Sequence, residues 1–167
     1  MRTLSIYLVR HGLAAERGEA WPDDTKRPLV PKGVARLRKE AQALRALSIT
    51  FDTILTSPLT RARSTADTLA AGLSPHPPVH VIASLAPGGS YPAFLADLGR
   101  HARRSHVACV GHEPDLGQLA ARLIGAKAPI EFKKGAICRI DVDAMPLNGP
   151  GHLRWFMTPR MLRLIAG

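Results

Sequence analysis

The chain has 167 residues, 46% hydrophobic and 22% charged; the length fits one domain and the composition excludes general disorder. Folding at this length buries roughly 70% of the unfolded surface, so a core needs neither a disulfide nor a metal. With 23 Lys and Arg against 13 Asp and Glu, the net charge of +10 implies an anionic partner, while an aromatic content of 5% argues against a base-stacking surface for nucleic acid.

Residues 3–9 (TLSIYLV) are rich in β-branched side chains and read as a buried strand ending in Arg10-His11-Gly12. Residues 16–31 are polar, carry Pro22, Pro28 and Pro31, and read as a long loop, a feature that in a compact domain usually serves function. Over residues 32–47, Val34, Leu37, Ala41, Leu44 and Leu47 recur near helical spacing opposite a basic face. Residues 51–56 read as a second strand. Ser57 then suits an N-cap and Pro58 the first position of a helix to about Ala71.

Residues 79–82 read as a short strand, 86–90 (APGGS) as a loop and 91–103 as a helix. Residues 106–110 read as a strand ending in Gly111-His112-Glu113-Pro114, where Pro114 suits the first position of a helix to about Ile124. Residues 136–142 and 153–157 read as an antiparallel hairpin at a sheet edge, around a Pro/Gly turn at 146–151. Residues 159–165 read as a short terminal helix. Cys109 and Cys138 sit in apolar runs and read as buried, reduced thiols. No cleavage site follows the N-terminus and no apolar run reaches the roughly 20 residues of a membrane span. The expected location is cytoplasmic, without membrane association.

Strand and helix alternate over the first 125 residues. The expected fold is therefore a single three-layer α/β domain over residues 1–167, with a mainly parallel central sheet, helices on both faces and an antiparallel C-terminal edge. Ligands of such sheets sit beyond the carboxyl ends of the strands. That rule selects Arg10 and His11 after the first strand, Arg61 one turn beyond the second, and His112 after a later one. Four such groups on one rim make a cationic pocket with a nitrogen able to attack.

Two guanidiniums suit the oxygens of a phosphoryl group, and helix N-termini near Arg61 and His112 favour the same anion. Gly12 and Gly111 let the backbone come close to it. Neighbouring arginines keep an imidazole neutral and nucleophilic, and its attack on phosphorus gives a phosphohistidine that water cleaves. His112 and the arginines would meet the charge that develops on the equatorial oxygens. No metal and no cofactor are expected, and the His/Glu spacing of a zinc site is missing.

Val9-Arg10-His11-Gly12, Ser57-Pro58-Leu59-Thr60-Arg61-Ala62 and Gly111-His112-Glu113-Pro114 together resemble the histidine phosphatase superfamily, the phosphoglycerate-mutase-like fold. In its short length the chain is similar to the SixA-type phosphohistidine phosphatases of that family. Arg27-Pro28-Leu29 followed by Gly33, and Trp155-Phe156-Met157-Thr158-Pro159, add to the likeness, which covers nearly the whole chain. The resemblance implies His11 as the phosphorylated nucleophile, Arg10 and Arg61 as phosphate ligands and His112 as the second active-site histidine.

Two departures bear on substrate. Leu13 stands where many members carry an acid after Arg-His-Gly, and residues 82–91 (IASLAPGGSY) contain no Asp or Glu. An alkoxide leaves poorly without a positioned acid, a loss of about 10²–10⁴-fold. A phosphorylated imidazole that is already protonated leaves as a neutral ring. The expected reaction is therefore metal-independent hydrolysis of phosphohistidine on a protein, such as a histidine phosphotransfer protein, releasing inorganic phosphate. Glu16, Glu19, Asp23 or Asp24 could yet supply a proton. A small phosphorylated substrate cleaved by a phosphomonoesterase, and a non-catalytic binder of phosphate or polyanions, stay open as alternatives.

Accessory candidates are Gly12, Arg27 and Glu113. Arg27 either steadies the first loop or extends the phosphate site. Glu113 is either a first-turn acid favouring the helix dipole or a catalytic group. Thr65 reads as packing or backbone bonding. His76, His80, His101, His106 and His152 read as surface residues, and Arg100-His101-Ala102-Arg103-Arg104 as a solvated helix end or a docking patch.

Overall fold

In the strand β1 (Leu4–Arg10) alternate side chains enter opposite cores, Tyr7 and Val9 on one face, Ile6 and Leu8 on the other. The computed structural model describes residues 3–101, 103 and 105–167. The other strands are β2 (Thr53–Thr56), β3 (Val79–Val81), β4 (His106–Gly111), β5 (Ile137–Val142) and β6 (His152–Met157). They form one six-stranded sheet in the order β3-β2-β4-β1-β5-β6. Strands β1 to β4 pair in parallel; β5 runs antiparallel to both β1 and β6. The C-terminal hairpin expected from the sequence is this antiparallel edge.

The first face is covered by the helices α1 (Pro31–Ala46), α2 (Thr60–Gly72) and α5 (Pro159–Ala166). Leu37, Ala41 and Leu44, then Ala62, Ala66 and Leu69, then Leu162, fill that core. The helices α3 (Tyr91–Arg100) and α4 (Asp115–Ile124) cover the second face with Phe94, Leu98, Leu116, Ala120 and Leu123. These apolar stripes recur at three and four residues, as a helix lying on a sheet requires. The three-layer α/β arrangement is thus the one expected. Cys109 and Cys138 are buried within it as free thiols. Among the described residues no helix is long and apolar enough to cross a membrane.

Register sets the functional rim. Arg10 pairs with Gly111 and Thr56 with Val110, so His11, His112 and Ser57 leave three neighbouring strands at nearly one level.

Several boundaries differ from the sequence reading. The second strand begins at Thr53 instead of residue 51. Helix α2 begins at Thr60 and not at Pro58, and its cap residue is Leu59. Pro114 caps α4 from outside instead of opening it. Helix α3 ends at Arg100, where the His101 N–H closes the last turn on Leu98 O. Arg103, where the expected helix ends, is not helical, and Ala102 and Arg104 lie outside the described residues.

Candidate active site

The Arg10-His11-Gly12 turn is braced from three directions. His11 N–H donates to Gly111 O at 3.1 Å, which ties the turn to β4. Gly135 N–H lies 3.1 Å from both Arg10 O and His11 O. Gly12 N–H donates to Thr65 Oγ1 at 3.0 Å, and the Thr65 hydroxyl donates to Arg61 O at 2.7 Å. Thr65 therefore does backbone bonding, as expected, and in doing so links the first motif to the helix that carries Arg61. A Cβ on Gly12 would stand 2.8 Å from Leu37 Cδ1, so the turn packs directly on α1.

His11 is 5% exposed, and its Nδ1 lies 2.8 Å from Gly12 O. A carbonyl only accepts, so Nδ1 carries the proton and Nε2 keeps its lone pair. Burial lowers the pKa of His11 to about 3, helped by the charges of His112, Arg61 and Arg10 and opposed by the Gly12 hydrogen bond. His112 is equally buried, and its ring centroid lies 5.2 Å from that of His11. Burial, then Arg61, lowers its pKa to about 4. Both rings are neutral at pH 7.

Arg10 Nη1 donates to Phe132 O at 2.7 Å, so the loop before β5 aims this guanidinium. Arg61, in the first turn of α2, donates from Nη1 to Asp24 O at 2.9 Å and from Nη2 to Asp24 Oδ2 at 3.0 Å. Arg10 Nε, Arg61 Nε and His112 Nδ1 are buried without a hydrogen-bond partner among the described residues. Buried polar groups are nearly always satisfied. Three such atoms on residues lining one cleft suit a ligand that hydrogen-bonds, the two arginine Nε–H groups as donors.

One cleft brings together Arg10, His11, Arg61 and His112, the four residues singled out by the strand-end rule. Arg27 is there too, with Nε on Asp24 Oδ1 at 2.9 Å and Nη1 on Ala15 O at 2.7 Å. It steadies the first loop and also lines the cleft. Glu113 lines the cleft with both oxygens engaged: Oε1 accepts from Gly117 N at 2.7 Å, and Oε2 from Phe132 N at 3.4 Å. It caps the first turn of α4 from just outside it. Ser57, expected as an N-cap, instead places Oγ 2.7 Å from His112 Nε2.

Sequence reasoning missed Lys134 and Arg17, which also line the cleft. The Lys133-Lys134-Gly135 run beside an apolar strand was the available signal for the first. It also missed that Asp24 would pair with an arginine 37 residues away. Of the other histidines, His76, His80 and His152 are exposed, as expected, whereas His101 and His106 are half-buried, His106 against the Tyr7 hydroxyl at 3.2 Å and His101 with its ring centroid 5.3 Å from that of His80.

Arg10, Arg17, Arg27, Arg61 and Lys134 outnumber Glu16, Asp24 and Glu113 in the lining. Cations and unsatisfied donors around a neutral imidazole at the carboxyl end of a parallel sheet define a class, the α/β enzymes that handle phosphoryl groups. The sequence model of the histidine phosphatase superfamily (branch 1) matches residues 6–86. Phosphohistidine phosphatase SixA of Escherichia coli is 28% identical over 164 residues, covering 96% of this chain and 98% of that one. An uncharacterized protein of Picosynechococcus sp. is 48% identical over 120 residues, 70% of this chain and 71% of its own. A solved structure of the protein histidine phosphatase SixA complexed with tungstate superposes with a TM-score of 0.83 at 27% identity, over 94% of this chain and 98% of that one. The chain belongs to the histidine phosphatase superfamily, and its similarity to SixA supports phosphatase activity by way of a histidine.

Proposed function

We propose that the protein hydrolyses phosphohistidine on a partner protein through a covalent phospho-His11, without a metal. His11 Nε2 attacks phosphorus as the bond to the substrate imidazole breaks, and the departing ring keeps the proton it carried. The phosphorylated His11 ring is then cationic, and its Nδ1–H stays on Gly12 O. Arg10, Arg61 and His112 meet the negative charge on the equatorial oxygens. Water next attacks phosphorus, the bond to His11 Nε2 breaks, and inorganic phosphate leaves.

The observation that carries the substrate choice is the state of the carboxylates. Glu113 is tied to backbone N–H groups. Burial alone would raise the pKa of Asp24, but hydrogen bonds and charge from Arg27 and Arg61 outweigh it and hold the carboxyl below its usual value. Asp24 therefore keeps no proton at neutral pH. Glu16 stands near the cation Lys134 on the exposed rim. A phosphoramidate, whose leaving imidazole needs no such acid, suits this site better than a sugar phosphate. The similarity to SixA proteins supports the same choice. The 86–90 loop beside the cleft is short and contributes Pro87 to its lining, which suits entry of a side chain from a protein surface.

A second reading, a small-molecule phosphomonoesterase, is favoured by one feature. A neighbouring cavity lined by Leu85, Tyr91, Phe94 and Leu119 shares His112 with the cleft, and could take the body of a small ester. A screen of phosphohistidine peptides, sugar phosphates and nucleotides, with and without chelator, separates the readings. The expected result is chelator-insensitive turnover with kcat/KM highest for phosphohistidine, acid-labile phosphate on His11, and none of either in His11→Ala. Preference for the esters would overturn the substrate. Turnover in His11→Ala would overturn the mechanism, and phosphate binding without turnover of any compound would leave a non-catalytic binder.

A further inference from the structure

Ser57 follows β2 and is wholly buried. Its N–H donates to Val110 O at 3.0 Å, two residues before His112, so its position is fixed by the sheet and not by a loop. Its Oγ accepts the Leu59 N–H at 3.2 Å and lies 2.7 Å from His112 Nε2. The other nitrogen of that ring, Nδ1, is buried without a partner among the described residues, in a ring that lines the cleft.

The protons can be counted. A hydroxyl has one to give, and a neutral imidazole carries one on either nitrogen. If Nε2–H donated to Oγ, that oxygen would accept from both the ring and Leu59, and the buried Ser57 proton would have no acceptor among the described residues. His112 Nδ1 would then present a lone pair to an incoming anion. If the hydroxyl donates to Nε2 instead, the Ser57 proton and Nε2 are both satisfied, and the ring proton sits on Nδ1, the nitrogen left without a partner among the described residues in a ring that lines the cleft.

We propose that Ser57 is a positioning residue that fixes the tautomer of His112: Oγ–H donates to Nε2, and Nδ1–H is held ready for a phosphoryl oxygen. The inference rests on the phosphatase reading above and adds how its second histidine is made a donor without being charged.

The test is ¹⁵N NMR of the full chain with labelled histidine, free and with inorganic phosphate, the His112 signals being identified by their loss in His112→Gln. The wild type is expected to show Nδ1–H in both states. In Ser57→Ala the population should move toward Nε2–H, and kcat on a phosphohistidine peptide should fall by roughly 10²-fold, as for loss of one donor to a developing oxyanion, with a smaller change in KM. Ser57→Thr keeps the hydroxyl and should restore most of the rate and the wild-type tautomer. Nε2–H in the wild type, or an unchanged tautomer in Ser57→Ala, would overturn the proposal whatever the rate. If Ser57→Ala fails to fold, the wild-type and Ser57→Thr spectra decide. A wild type without turnover would remove the phosphatase reading, while the tautomer would still be judged from the spectra.

Discussion

Asp24 reaches Arg61 twice, once through its carboxylate at 3.0 Å and once through its backbone carbonyl at 2.9 Å. The contact orients the Arg61 guanidinium, and it also places a negative charge in the cleft proposed to receive phosphate. Substituting Asn removes the charge but keeps the carbonyl that holds Nη1, so loss of repulsion should dominate over loss of orientation. In Asp24→Asn, inorganic phosphate should inhibit roughly fivefold more tightly, equivalent to about 1 kcal/mol for a unit charge several ångströms away in a partly hydrated site. Turnover of phosphohistidine should persist. Product-inhibition constants check the first point, and loss of turnover would make Asp24 the proton donor after all.

The two active-site imidazoles should stay neutral well below the ordinary histidine value of 6.5, because burial and nearby arginines lower them to about 3 and about 4. Ring C–H resonances of His11 and His112 should therefore not titrate between pH 8 and 5 in the free protein. The unfolded chain takes up these protons near 6.5, so it gains protons first as pH falls. Folding stability should decline below that pH and continue to decline toward pH 4, by up to about 1.4 kcal/mol per unit for each ring. Denaturant titrations at several pH values measure this, and a ring titrating near 6.5 would contradict it.

Gly33 lies in the first turn of α1, and a Cβ there would stand 2.3 Å from the backbone oxygen of Leu13. That oxygen already accepts the Val30 N–H at 3.0 Å, closing the neck of the first loop. Gly33→Ala should cost about 1–3 kcal/mol, the usual range for overpacking. The midpoint of thermal unfolding should drop by roughly 2–4 °C for each kcal/mol in a chain of this size. The loop that carries Asp24 and Arg27 should be displaced, so kcat/KM should fall as well.

Glu40, on α1, is 1% exposed, and its Oε2 has no hydrogen-bond partner among the described residues. Burial raises its pKa well above the ordinary 4.5, only partly offset by Arg163. Above pH 4.5 the unfolded chain loses this proton while the folded one keeps it, so the group costs stability as pH rises. Glu40→Gln has no proton to lose. Its unfolding midpoint should match the wild type near pH 5 and exceed it at pH 8, and a constant difference across that range would refute the assignment.

The architecture and the four central residues were legible in the sequence because both depend on local signals. Short apolar runs ending in Arg-His-Gly and Gly-His mark strand ends, and a parallel sheet gathers those ends on one rim. What could not be read depends on partners distant along the chain. Ser57 looks like an N-cap until His112, 55 residues on, is beside it. Asp24 looks like a free acid on a polar loop until the loop folds back on Arg61. Glu113 was placed correctly at the start of α4, but its cap to Gly117 and its contact with Phe132, which engage both oxygens and favour the structural reading, could not be foreseen. Helix α3 stops short because nothing in a basic run dictates where solvation of the backbone overtakes helix formation.

The bracing of Arg10 and His11 by Phe132 and Gly135 has a consequence for how the enzyme loses competence. The family match ends at residue 86, yet the guanidinium of Arg10 takes its aim from a carbonyl beyond residue 130, and His112 comes from a different strand again. No contiguous fragment before that loop can assemble the cleft. Partial melting of the antiparallel margin should therefore silence hydrolysis as surely as complete denaturation, making catalytic rate a sensitive gauge of whether the sheet is closed from edge to edge.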